Sequence, residues 1–110
     1  MTTDIRLKSE KDFSLVFKKG KRLCSSALIM IIIPSDQLKA GFAVSKKHGG
    51  SVKRNRIKRL LRESFRSFLP EIRQNFFFVF IPKVEKEYSL DIFKKNMNYL
   101  LIKAGIKKDA

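Results

Sequence analysis

Apolar and polar positions along this chain follow two periods, and the switches between them mark the elements. Phe13, Val16 and Phe17 recur at i, i+3 and i+4, the spacing of one helix face. Ser9 precedes that run and Asp12 lies three residues on, so the pair reads as a capping box, with Gly20 as the helix stop. Lys21 to Ser25 then reads as a short edge strand. Leu28 to Ile33 is an Ile-rich strand ended by Pro34 and a Ser35-Asp36 turn. Lys39 to Lys47 predicts a third strand, with Phe42 and Val44 on one face and Gly41, Ala43 and Ser45 on the other. Gly49 and Gly50 break it into a loop. A long helix is expected from about Ser51 to Phe68, stopped by Pro70. Phe76 to Ile81 predicts a buried strand ended by Pro82. Ser89 caps a last helix carrying Phe93, Met97, Leu100, Leu101 and Ala104, with Gly105 beyond. The order is α-β-β-β-α-β-α in a single domain. A strand–helix–strand unit at its centre predicts an α+β fold with a mixed sheet.

The long helix departs from ordinary amphipathicity. On a wheel of about 100° per residue, Ile57, Leu60, Leu61, Ser64, Phe65 and Phe68 share the core side. The opposite arc collects Asn55, Arg56, Lys58, Arg59, Arg62 and Arg66, with Glu63 as its only acid. Lys53 and Arg54 project from the first turn, and Lys46 and Lys47 stand just before it. A solvated helix face normally mixes charges, because opposite pairs at i,i+4 stabilise it. Here cations in the first turn also oppose the helix dipole. Local stability is given up for an unneutralised positive face, and that points to phosphate.

Composition extends the argument to the whole chain. Twenty-five Lys and Arg against ten Asp and Glu leave a net charge of +15, while 44% hydrophobic residues exclude a disordered basic tail. A polyanion is the expected partner. Arginine predominates in the helix motif, and its planar fork can hold two phosphate oxygens or stack on a base. Asn55 could read a base edge or a ribose hydroxyl. RNA is favoured over duplex DNA by the domain's size and by the lack of a dimer signal, although charge alone fits both. A protein that is monomeric when free is expected.

Catalytic chemistry finds little footing. Cys24 is the single cysteine, which suits a reducing cytoplasm, and it reads as a small, partly buried strand residue. His48, the one histidine, sits in a Gly-flanked loop with nothing to tie it to Cys24. The acids Asp4, Glu10, Asp12, Asp36, Glu63, Glu71, Glu85, Glu87, Asp91 and Asp109 are scattered, so no catalytic or metal-ligating cluster is expected. Met1 to Glu10 is polar and reads as no targeting segment. The longest apolar run, Ala27 to Ile33, is far short of the ~20 residues that span a bilayer.

At this point the residues match a known pattern. Gly41-Phe42-Ala43-Val44-Ser45-Lys46-Lys47, followed by Gly49, Val52 and Arg54-Asn55-Arg56-Ile57-Lys58-Arg59-Leu60-Leu61-Arg62-Glu63, resembles the signature of the bacterial ribonuclease P protein component family. Asp12-Phe13, Val16-Phe17 and Gly20 fit the family's first helix and turn. The resemblance implies an α+β sandwich with a left-handed crossover between the third and fourth strands, against the usual rule. It implies a protein that joins a catalytic RNA to cleave the 5′ leader from precursor tRNA, with the chemistry carried by that RNA and its Mg2+ ions. Carried over by position, Arg54, Asn55, Arg56, Lys58, Arg59 and Arg62 would face the catalytic RNA, supported by Lys46, Lys47, Lys53 and Arg66.

The resemblance also implies a cleft for the single-stranded leader between the first helix and the sheet, lined by Phe13 and Phe17. Gly41, Ala43 and Ser45 would keep the sheet face shallow there. By spacing alone Phe13 and Phe17 are core residues. The resemblance assigns Phe17 to the cleft and leaves Phe13 divided between the two roles. Two positions depart from the family: Leu28 to Ile33 is aliphatic where some relatives offer an aromatic, and His48 replaces an apolar residue.

Three rivals remain at this level. A ribosomal or RNA-chaperone protein would also need a basic helix on a sheet. A protein-only nuclease would need the acid or histidine cluster that is missing from the pattern. A membrane-surface protein would need an exposed apolar helix face, whereas here that face has a sheet to cover.

Overall fold

The computed structural model describes residues 5–108. Asp4 and Asp109 of the scattered acids, and the first residues of the polar N-terminus, lie outside them. Three helices and four strands follow in the expected order: α1 (Glu10–Lys19), β1 (Lys21–Cys24), β2 (Leu28–Pro34), β3 (Lys39–Phe42), α2 (Ser51–Phe68), β4 (Phe76–Pro82) and α3 (Leu90–Lys103).

The sheet runs β1-β2-β4-β3. The pairs β1–β2 and β2–β4 are antiparallel, whereas β3 and β4 are parallel and are joined through α2. The sheet is therefore mixed, as a crossover helix between strands dictates. The two apolar strands β2 and β4 pair along their whole length, from Leu28 opposite Pro82 to Pro34 opposite Phe76. Their alternate residues feed two cores. Leu28, Met30, Ile32, Phe78 and Phe80 meet Ile57, Leu61 and Phe65 of α2 and Phe93, Met97, Leu100 and Leu101 of α3. Ile31 and Val79 point the other way and meet Val16 of α1 and Leu7. Helix α1 thus covers one face of the sheet, and α2 with α3 the other. Ile5 to Leu7 guard the free edge of β3: the Leu7 N–H donates to Ala40 O at 2.9 Å and the Ala40 N–H to Ile5 O at 2.7 Å. Covering an edge this way removes a template for unwanted strand pairing.

Three local expectations need correction. Ser9 is the N-cap of α1 but makes no side-chain cap hydrogen bond, so the capping box is not formed. The helix starts instead on the backbone bond from Phe13 N–H to Ser9 O, with Glu10 and Asp12 favouring its positive pole. Gly20 ends α1 as expected, in an extended conformation. A Cβ there would collide with the Val16 carbonyl and an Ile31 methyl, so close packing requires the glycine. Strand β3 stops at Phe42 rather than Lys47, although Ala43 N–H still donates to Phe80 O at 3.0 Å. Beyond it, Ser45 and His48 cap a single 3-10 turn, Lys46–His48, and these side-chain bonds replace the ladder. Finally, Cys24 is exposed, because Leu23 takes the inward position of β1.

Candidate nucleic-acid interface

Helix α2 keeps the predicted limits, and its core side is anchored by Ile57, Leu61, Ser64 and Phe65. Ser64 sits in that core without penalty, since its hydroxyl donates to Leu60 O at 2.8 Å. The cations divide into two groups. Lys53, Arg56, Arg59 and Arg66 are exposed, as is Asn55. Arg54, Lys58 and Arg62 form a half-buried stripe at i, i+4 and i+8. The wheel put Lys58 and Arg62 on the outward arc and had Arg54 project. Instead all three are half-buried, as long basic side chains are when part of the stem is withdrawn from solvent.

Little neutralises this face. Glu63 meets Arg59 at 3.5 Å, a solvent-exposed i,i+4 pair of small energetic weight. The Nε atoms of Arg54 and Arg62 are shut off from solvent and find no hydrogen-bond acceptor. Lys53 is the exception on the helix. Its Nζ donates to Lys86 O at 3.3 Å and lies 5.7 Å from the centre of the Tyr88 ring. Lys46 and Lys47 are exposed on the turn that leads into α2. Val52, 84% exposed among these cations, entered the sequence pattern only as a motif position and was given no role. Its outward place on the same wheel was the available signal.

The opposite face of the sheet carries the second group. Phe13 and Phe17 stack one turn apart on α1, with ring centroids 6.5 Å apart and planes 23° from parallel. Phe17 is 47% exposed, while Phe13 is half-buried. Gly41 is not an open floor: a Cβ there would collide with the Phe13 ring, which fills the space. Ala43 stays half-open, beside partly buried Ile29, Ile33, Phe77 and Ile81 on the same sheet face. Ser45 is exposed, and its hydroxyl accepts from Lys47 N–H at 3.3 Å, so it is engaged in the turn.

His48 is buried rather than in an open loop. Its Nε2 lies 2.6 Å from Pro82 O, and its Nδ1 lies 3.0 Å from Ser45 N. Among the described residues, no three His, Cys, Asp or Glu side chains come together in a way that could hold a metal ion. No helix there is long and apolar enough to cross a membrane.

A mixed α+β sheet that presents a helix whose cations, apart from Arg59, meet no acid among the described residues defines a small basic protein suited to a polyanion. The family model described as Ribonuclease P matches residues 1–105. The chain belongs to the ribonuclease P family: it is of the protein-component type, the protein subunit of a tRNA-processing ribonucleoprotein endoribonuclease that works with an RNA subunit. It is 31% identical over 110 residues to the ribonuclease P protein component of Shouchella clausii, covering 96% of this chain and 90% of the relative. It is 35% identical over 107 residues to that of Caldanaerobacter subterraneus, covering 94% and 92%. The solved ribonuclease P protein of Staphylococcus aureus superposes with a TM-score of 0.84 at 25% identity, covering 96% of this chain and all of that one.

Proposed function

We propose that this chain docks on the catalytic RNA of ribonuclease P through α2 and holds the 5′ leader of precursor tRNA against α1 and the open sheet face. The observation that carries the reading is the unneutralised face of α2, where Glu63 offsets only Arg59. Arg54, Asn55, Arg56, Lys58, Arg59, Arg62 and Arg66, with Lys46 and Lys47 before them, form the docking surface. Their guanidinium forks suit paired phosphate oxygens. Binding releases the counterions that those phosphates condense, which supplies affinity without sequence preference.

The leader lies on the other face. Phe17 offers a half-exposed ring on which a base stacks, and Ala43 leaves room beside it. Phe13 serves the groove chiefly by holding α1 on Gly41. A cationic protein lying between two RNA backbones lowers their mutual repulsion and holds the substrate in register, so the bound geometry is reached at less entropic cost. Bond cleavage belongs to the RNA and its Mg2+ ions. The protein works in the cytoplasm, where precursor tRNA is met, and is monomeric before assembly.

Reconstitution with a bacterial catalytic RNA at physiological Mg2+ tests this reading. The protein should tighten binding of leader-bearing precursor by the RNA more than binding of mature, leaderless tRNA. Phe17→Ala should remove much of that difference, at least about fivefold for one lost base stack. Leader cleavage that is unchanged by added protein would exclude the proposal.

A further inference from the structure

His48 is bound on both ring nitrogens, and the partners fix its chemical form. Pro82 O can only accept, so Nε2 carries the proton and donates across 2.6 Å. Ser45 N–H can only donate, so Nδ1 accepts from it across 3.0 Å, the shortest of its contacts, with Ser45 O and Oγ farther off at 3.3 and 3.4 Å. One neutral tautomer satisfies both. The ring therefore ties the 3-10 turn after β3 to the last residue of β4, across 34 residues of sequence.

Three further contacts converge on the same point. Gly49, at φ 128°, turns the chain immediately after His48 in a conformation that L side chains rarely adopt. The Lys53 stem packs against Gly49, and its Nζ reaches Lys86 O. Tyr88 lies under Lys53, 6.5 Å from the His48 ring between centroids. Its hydroxyl donates to Lys83 O and accepts from Glu85 N–H, which holds the loop after β4 in shape. The first turn of α2 is thereby fastened to that loop from two sides. By contrast, its N-cap Gly50 makes no side-chain cap hydrogen bond.

We infer that His48 is a positioning residue: through Pro82 O and Ser45 N–H it sets the direction in which α2 presents Arg54, Asn55 and Arg56. It touches no RNA itself, being buried. The inference rests on the docking role given above to α2. An apolar side chain at this position fills the same space but leaves Pro82 O and Ser45 N–H without partners. The first turn then samples other directions, and the apparent Kd rises by the inverse of the fraction still competent.

The test compares the parent with His48→Leu, His48→Gln and Arg62→Ala, at a temperature where circular dichroism finds all four folded. Binding to the catalytic RNA and amide hydrogen exchange over residues 49–54 are measured on each. The Gln side chain can accept from Ser45 and donate to Pro82, as the imidazole does. His48→Leu should bind about tenfold more weakly, the scale of two lost neutral hydrogen bonds, with faster exchange over those residues. His48→Gln should restore both. His48→Leu that binds like the parent while Arg62→Ala binds weakly overturns the positioning role. If Arg62→Ala also binds like the parent, the docking face is what has failed. Exchange then decides His48 alone, and unchanged exchange in His48→Leu overturns the inference.

Discussion

Phe13 and Phe17 stand one turn apart on α1 and do different work. The Phe13 ring occupies the space that a side chain at Gly41 would need, so this aromatic and this glycine form one packing unit. Phe17 leaves nearly half its surface in solvent, and its loss should cost the fold much less. Gly41→Ala forces a methyl group into the space of the Phe13 ring, which must shift to admit it. It should destabilise the protein by about 1–3 kcal/mol, the usual penalty for overpacking, read from thermal or denaturant unfolding. An unchanged midpoint would show that α1 is not seated on Gly41. Spacing alone could not separate the two rings, because a helical period reports a shared face and not which member of it a glycine accommodates. The family resemblance singled out Phe17, and its exposure agrees with a role outside the core.

Among the elements, α2 was the most legible. The Gly49-Gly50 break before it and Pro70 after it set its limits, and its unbalanced charge stood in plain view. The central strands were legible for a similar reason, since long apolar runs have no other place than the middle of a sheet. The end of β3 was not. The alternation of Phe42 and Val44 continues past the point where Ser45 and His48 divert the backbone, and capping has no period to detect. The strand order was also beyond reach, because the neighbours β2 and β4 are far apart in sequence. The N-terminus of α2 carries an uncapped glycine at an ordinary φ of −72°, with open space around a would-be Cβ. Gly50→Asn should therefore add a cap and reduce unfolded-chain entropy, stabilising the protein by roughly 0.5–1 kcal/mol. A lower melting temperature for that variant would contradict the geometry of this helix start.

Across the whole molecule, a net charge of +15 meets a fold whose two sheet faces are covered unequally. The face under α2 and α3 holds the larger core and turns the cationic helix outward. The face under α1 is only partly covered and keeps Ile29, Ile33, Phe77 and Ile81 half-open. One face is thus suited to a phosphate-rich partner and the other to unstacked bases, which is the division of labour proposed for catalytic RNA and leader. The most direct test of that division is the salt dependence of binding to the catalytic RNA, compared between the parent and Arg59→Ala combined with Arg62→Ala. The double variant should bind more weakly, with a log–log slope shallower by roughly one to two units, because each phosphate contact removed no longer releases a counterion. Equal affinity and an equal slope would mean that this face of α2 does not meet the RNA backbone.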